Sequence, residues 1–410
     1  MDEARNAREL LGAGADGASI VTPRDEAACV QAFREARQRR HAVVCVGGGT
    51  ELALGRLPTK VDVLVRTTSL SRVKDYTPED QIVDVEGGLT LGELQKTLGA
   101  RGQRLAYDPP GAASATVGGL VATNAFGPLR TRYGSLRDLI IGVTLLRADG
   151  VVAHGGGKVV KTVAGFDLPK LAVGSLGTLG MILGATFRVH PEPETSATVF
   201  AAGLSAAAVR EMIVGLRDAQ LEPAATAALG SRGRYALGVR FEGFSAGVAQ
   251  QRARFVEHAS ARGAGCEWLD VKSAARFWSE HDAARLAGDA GVKVSGLPAT
   301  LGTLLPDIAQ HFDDALQGAK VCWYPSLGLA FVTGAVTDPA ALAAALATAR
   351  ASLAKEHGFA IVERAPAAAR ALLGDPWGPR LPAHGLMQLV KSRFDPEGRM
   401  NPGRFLGSVA

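Results

Sequence analysis

The segment Asp108-Pro109-Pro110-Gly111-Ala112-Ala113-Ser114-Ala115-Thr116-Val117-Gly118-Gly119 constrains this fold more than any other stretch of the chain. Its side chains are small and its paired glycines leave the backbone open, so it suits a surface lying against a large phosphate-bearing cofactor. Two further glycine-rich regions flank it. Upstream, Val43-Val44-Cys45-Val46 reads as a buried strand running into Gly47-Gly48-Gly49-Thr50. Downstream lie Gly165-Phe166-Asp167-Leu168 and Gly174-Ser175-Leu176-Gly177-Thr178-Leu179-Gly180.

Two nucleotide fingerprints fail against these loops. A dinucleotide G-x-G-x-x-G needs a third glycine for helix–strand packing, and Leu52 stands at that place after Gly47 and Gly49. A P-loop needs G-x-x-x-x-G-K-[ST], whereas Gly157-Lys158 is followed by Val159 and preceded at the required spacing by Val152. What remains is anion binding by successive backbone N–H groups in an irregular turn.

A chain of 410 residues with 47% hydrophobic composition exceeds one ordinary core and implies two domains. Cys29, Cys45, Cys266 and Cys322 are widely spaced without a C-x-x-C, which encodes neither a zinc site, an iron–sulfur cluster nor a disulfide framework. The charged start Met1-Asp2-Glu3-Ala4-Arg5 is unlike a signal peptide, and no apolar run has membrane-spanning length, so a cytoplasmic location is expected. Net charge is only +5 with arginines scattered among acids, which argues against nucleic-acid binding. The densest basic run, Arg37-Gln38-Arg39-Arg40-His41, reads as a helix end where cations answer the helix dipole.

Thr22-Pro23-Arg24-Asp25 has the form of a capping box before a helix carrying Ala27, Val30 and Phe33. Strands are expected at 61–65, 82–85, 143–147, 151–154 and 186–189, with a helix from Thr90 to Arg101 capped by Thr90 and Glu93. The Ala148-Asp149-Gly150 turn calls for antiparallel pairing of its flanking strands. Pro191-Glu192-Pro193-Glu194 reads as a linker. Beyond it, helices from Ser205 to Ala219, Ala246 to Arg262 and Ala340 to Lys355 alternate with strands around 235–241, Cys322 and 330–336. That order implies an antiparallel sheet with helices on one face. The expected domains are residues 1–192, 193–378, and a tail of 379–410 returning to the first.

The succession Gly47-Gly48-Gly49-Thr50, Asp84-Val85-Glu86-Gly87-Gly88, Pro109-Pro110 with Thr116-Val117-Gly118-Gly119, Gly127-Pro128 with Arg137-Asp138, the run from Gly156 to Leu168, and Asn401-Pro402-Gly403-Arg404 resembles the FAD-linked oxidases of the vanillyl-alcohol oxidase and p-cresol methylhydroxylase superfamily. Within it the likeness is to the FAD-binding subunits of glycolate oxidases. The resemblance is ordered over residues 40–190, weaker through 193–378, and returns over the last dozen. It implies an α+β fold: a p-cresol methylhydroxylase-type FAD-binding domain of two α+β subdomains, plus a cap domain of antiparallel sheet with helices. By carry-over, Val46, Gly47, Gly48, Gly49 and Thr50 hold the pyrophosphate. Pro110, Ser114, Thr116, Gly118, Gly119, Asn124 and Gly127 line the flavin and ribityl chain, and Gly180 and Ile182 approach the adenine. Asp167 reads as a helix cap and Asn401 as either a turn residue or part of the site.

Two departures bear on the chemistry. The first glycine loop has no histidine and Cys45 precedes it inside a strand, so non-covalent FAD is expected. Relatives that oxidise 2-hydroxy acids alone carry a histidine-rich metal motif, whereas His258, His281, His311, His357 and His384 stand apart, so no metal is expected. The resemblance therefore implies a subunit of a glycolate- or D-lactate-oxidising complex, paired with a larger FAD-containing catalytic subunit and an iron–sulfur subunit. Peripheral membrane association would come through those partners. The alternative is a stand-alone flavoenzyme. Catalytic residues stay unassigned: Arg130, Arg132 and Tyr133 suit a carboxylate or merely position the next strand, Lys158 and Lys161 are either a positive charge near the flavin favouring its reduced anion or a solvated strand end, and Arg240, Lys293 and Trp323 lie on strands of unknown facing.

Overall fold

The computed structural model describes residues 17–158 and 166–405, together with Leu11 and Ala15. Val159, Lys161 and Gly165 lie outside the described residues. The chain divides into two compact units. The first comprises the described residues up to Phe126, Gly134–Glu192 and those from Pro379 onward; the second comprises Gly127–Tyr133 and Pro193–Gly378.

In the first unit, β1 (Ser19–Val21), β2 (Val43–Val46) and β3 (Val63–Arg66) form a parallel sheet in the order β1-β3-β2. Next come β4 (Val73–Thr77), β5 (Ile82–Glu86), β6 (Gln103–Arg104), β7 (Ile140–Leu146), β8 (Val152–Gly156), β9 (Met181–Arg188) and β10 (His190–Pro191). The order β4-β5-β9-β7-β8 makes a five-stranded sheet, antiparallel throughout, so β7 and β8 pair as the Ala148-Asp149-Gly150 turn requires. Every residue of the central strand β9 except Arg188 is buried, because both faces of the sheet are covered there. On one face Met181 and Leu183 share a core with Cys29 and Phe33 of helix Glu26–Gln38. On the other, Gly118 of helix Val117–Thr123 lies against the backbone of β9 and donates to the Gly87 carbonyl at 2.7 Å. A buried aliphatic or aromatic side chain such as Phe33 contributes about 1.5–3 kcal/mol, so these contacts fix the layers.

Local details depart from expectation in two places. Helix Glu26–Gln38 is capped by Asp25, whose carboxylate accepts the Ala28 N–H at 2.8 Å, and not by Thr22. A carboxylate three residues before a free N–H closes the first turn, so the helix starts after Asp25. The Pro191 linker is correct only beyond Glu192, since His190–Pro191 pairs antiparallel with β6. Asp167 does cap helix Leu168–Ala172, accepting the Lys170 N–H at 3.2 Å.

The C-terminal stretch returns to this unit through a buried clamp. Lys391, on helix His384–Phe394, donates to the Thr178 carbonyl at 2.8 Å, the Met400 carbonyl at 2.9 Å and the Asp395 carboxylate at 2.6 Å. Asp395 also accepts the Met400 N–H at 2.7 Å. Burial pushes the Lys391 ammonium below its ordinary pKa while Asp395 opposes that shift. Met400 and Asn401 are thereby set beside β2, where the Asn401 N–H donates to the Val43 carbonyl at 3.0 Å.

The second unit is built on β11 (Thr195–Leu204), β12 (Ala225–Ser231), β13 (Arg234–Gly243), β14 (Glu267–Leu269), β15 (Ala290–Ser295), β16 (Leu316–Tyr324), β17 (Leu329–Val336) and β18 (Phe359–Arg364). They form one antiparallel sheet in the order β14-β11-β13-β12-β16-β17-β15-β18. Helices Ala206–Asp218, Ser245–Ser260, Pro298–Asp313 and Pro339–Ala354 share a core with Val321, Trp323 and Val332 of one sheet face. Helices are not confined to that face. Helix Val271–Leu286 covers the other: Cys322 Sγ meets the His281 carbonyl at 3.7 Å and Thr333 donates to the Ala284 carbonyl at 2.7 Å. Side chains alternate across a strand, so Cys322 and Thr333 necessarily face away from Trp323 and Val332. Polar contacts hold this helix. Arg285 pairs with Glu363 at 3.0 Å and stacks over Phe331, 3.2 Å from the ring centroid.

Candidate functional site

One cleft lies wholly within the first unit and encloses about 700 Å³ of space, part of it open solvent. Its walls come from the loop after β2, the start of helix Val117–Thr123, the stretch 176–182 and the C-terminal return. The wall-forming loops touch each other directly. A Cβ added at Gly47 would lie 2.0 Å from Thr116 Oγ1, and one at Gly48 would lie 1.9 Å from the Ser114 carbonyl oxygen. These two glycines therefore serve packing of one loop on the other as well as any ligand, a requirement the sequence alone did not reveal.

The chemistry of the cleft is that of backbone donors. The N–H groups of Gly48, Gly49 and Thr50 have no acceptor among the described residues, and Gly49 takes φ +75°. Successive free N–H groups on such a turn form a concave nest for an anion. Arg404 also lines the cleft, held by bonds from Nη2 to the Leu52 and Glu51 carbonyls at 2.6 and 3.2 Å. Its fixed positive charge strengthens anion binding at the same wall. Asn401 lines the cleft at φ +45°, donating from Nδ2 to the Leu176 carbonyl at 2.9 Å. Its Oδ1 is buried without a protein partner, an acceptor free for a ligand's hydroxyl or N–H. Cys45 reaches the cleft, and burial pushes its thiol well above the ordinary range. A thiol kept protonated is a poor nucleophile.

The expected residues divide as follows. Gly47, Gly48, Gly49, Thr50, Thr116, Gly118, Gly119, Gly180 and Ile182 converge on the cleft. Val46 stands behind it, its carbonyl accepting the Thr67 N–H at 2.9 Å. Ser114 contributes backbone contact to Gly48, while Pro110 is buried outside the lining. Asn124 ends helix Val117–Thr123 in left-handed conformation, and Gly127 belongs to the second unit. Leu176, Gly177, Met181 and Arg404 also line the cleft, although no cofactor role is expected of them from the sequence; Leu176 and Gly177 belong to the third glycine loop. Arg404 had a signal, being the last residue of the quoted Asn401-Pro402-Gly403-Arg404.

The candidate side chains for substrate charge are engaged in other ways. In the second unit, Arg132 donates to the Glu242 carbonyl at 3.1 Å and Tyr133 OH lies 3.3 Å from Glu242 Oε2. Arg240 stacks on Trp278, 4.2 Å from the ring centroid, and Trp323 is buried on the helix-covered sheet face. In the first unit Lys158 pairs with Asp75 at 2.5 Å on the surface. Among the described residues, no three His, Cys, Asp or Glu side chains are grouped to hold a metal, and no helix is long and apolar enough to cross a membrane.

Comparison with known proteins agrees with this geometry. Residues 18–156 match the family model of an FAD binding domain. The chain is 33% identical over 174 residues to a D-lactate dehydrogenase of Archaeoglobus fulgidus, covering 42% of this chain and 39% of the relative. It is 32% identical over 170 residues to the glycolate oxidase subunit GlcE of Escherichia coli, covering 41% and 48%. The chain thus spans less than half the length of these curated relatives. A solved alkyldihydroxyacetonephosphate synthase superposes with a TM-score of 0.72 at 18% identity, covering 94% of this chain and 77% of that one, which shows a shared fold. The nest of free N–H groups lies inside the residues matched to an FAD binding domain, which supports FAD as the cofactor of this chain, and its fold is the one it shares with the solved synthase.

Proposed function

We propose that this chain is the FAD-binding subunit of a 2-hydroxy-acid-oxidising flavoprotein, acting on glycolate or D-lactate alongside a larger FAD-containing subunit and an iron–sulfur subunit. The observation that carries it is the cleft with free Gly48, Gly49 and Thr50 donors, in a chain similar to both a D-lactate dehydrogenase and a glycolate oxidase subunit. The four widely spaced cysteines offer no cluster ligands, which supports electron exit through a partner.

FAD held here would supply electron transfer, receiving the electrons that the larger subunit removes from the hydroxy acid and passing them on. The Gly48–Thr50 donors and the Arg404 charge would hold the pyrophosphate, and Asn401 Oδ1 would accept from a cofactor hydroxyl or N–H. Cys45 lies inside β2, before the glycine loop, and burial disfavours its thiolate, which supports a cofactor held without a covalent bond.

The test is the anaerobic visible spectrum of the purified chain before and after adding glycolate and D-lactate. An oxidised flavin spectrum that persists with both acids, and bleaches only once the partner subunits are present, is the expected result. Bleaching by the chain alone would replace the subunit reading with the stand-alone flavoenzyme. A protein that neither carries nor takes up FAD would overturn both.

A further inference from the structure

The second unit holds a cleft of its own, with about 1440 Å³ of space including open solvent, and hydrogen-bond donors converge on it. Trp323 lines it, and the indole Nε1 is buried without a protein partner although the residue is only 1% exposed. Thr131 Oγ1 is likewise buried and unpartnered. Ser326 Oγ accepts from Thr226 at 2.8 Å, which leaves its own proton to donate. A buried polar atom without a partner costs roughly 1–3 kcal/mol, so two of them on one cleft point to a ligand that satisfies them.

Electrostatics favours an anion. Arg210 is positioned by Thr303 Oγ1 at 3.3 Å and Glu211 at 3.3 Å, and Arg132 by the Glu242 carbonyl. The 16-residue helix Pro298–Asp313 starts at the cleft with no side-chain cap, and its Ala299 N–H has no acceptor among the described residues. A helix N-terminus carries a partial positive charge and favours carboxylates. Among the lining residues Glu222 is the sole acid. The lining also includes the apolar side chains of Ile213, Leu216, Leu221 and Pro325.

We infer that this cleft binds an organic carboxylate with a hydrocarbon body, its carboxylate met by Arg210, the Ala299 N–H and the Trp323 indole, its body laid on Ile213 and Leu221. The site stands whether or not the chain turns over 2-hydroxy acids, since it is built wholly from the second unit.

Isothermal titration of the FAD-saturated full chain with hexanoate tests it, with 1-hexanol as the uncharged counterpart. Hexanoate saturates one site, and hexanol binds at least about tenfold more weakly. Arg210→Met, at a half-exposed position that leaves folding intact, weakens hexanoate about tenfold; Trp323→Phe weakens it about threefold or more. Circular dichroism verifies that both variants fold. Absence of saturable hexanoate binding at millimolar concentration overturns the inference. So does equal binding of hexanol, or parental affinity in both folded variants.

Discussion

The two clefts recognise charge by opposite means. In the first unit the donors are backbone N–H groups of Gly48, Gly49 and Thr50, shaped by loops packed so closely that glycine is obligatory at Gly47 and Gly48. In the second unit the donors include side chains, Trp323, Thr131 and Arg210, drawn from segments up to 192 residues apart in sequence (323 − 131). A backbone site is a property of local conformation, so its residues cluster in the sequence. A side-chain site assembled from a sheet strand, a long helix and short helical turns has no contiguous signature.

The comparison breaks most easily at the clamp that holds the C-terminal wall of the first cleft. Lys391→Met leaves the Asp395 carboxylate buried without its cation, at an expected cost of about 3–5 kcal/mol in urea unfolding and with loss of bound FAD. The double variant Lys391→Met with Asp395→Leu should recover a large part of that stability, since replacing both partners removes the orphaned charge. If the single variant retains parental stability, the clamp is not what fixes Met400 and Asn401 beside β2.

Gly48→Ala comes next. The added Cβ meets the Ser114 carbonyl, so the loops must part, with an expected loss of about 1–3 kcal/mol and a drop in FAD content after gel filtration. A variant that keeps both would show that the close approach relaxes without harming the nest.

Trp323→Phe should cost about 1–2 kcal/mol by thermal or urea unfolding, the transfer and cavity cost of the smaller ring alone, because Nε1 has no protein partner to lose. A larger loss would mean that the indole N–H serves the fold, erasing the contrast between the clefts.

The smallest effect concerns acid stability of the first unit. Burial would raise the Glu86 carboxyl, but its bonds to the Arg72 side chain and N–H outweigh that and hold it below the ordinary value of 4.5. A carboxyl depressed in the folded state contributes stability that is present above its unfolded pKa and is lost as pH falls through the folded one. The parent should therefore lose stability below about pH 4.5, and Glu86→Gln should flatten that part of the profile. Identical acid profiles for the two proteins would refute the assignment.

Much of the first unit was readable in advance because its determinants are local. Thr90 caps its helix by accepting the Glu93 N–H at 3.2 Å, as the Thr-x-x-Glu spacing requires, and the Ala148-Asp149-Gly150 turn pairs β7 with β8. Helix Val271–Leu286 was missed. Its buried positions Phe277, His281, Ala284 and Arg285 mix aromatic, titratable and charged groups, so no apolar stripe marks its inner face. Its burial rests on partners far along the chain, Glu363 for Arg285 and Phe331 for the same guanidinium, and pairings of that separation leave no periodic trace. The helix therefore falls on the sheet face that a one-sided arrangement would have left bare.

The sequence by itself determined the antiparallel turn between β7 and β8 and the anion-binding glycine loops, because tight turns and free backbone donors depend on a few adjacent residues; FAD in particular came from the family resemblance those loops carry. Only the tertiary structure decided which of those glycines face the cleft, that Asn401 and Arg404 return to complete its wall, and that Trp323 points to the helix layer. Those outcomes follow from long-range packing, in which a side chain's facing is set by the neighbouring strand's register and by the helices that cover it.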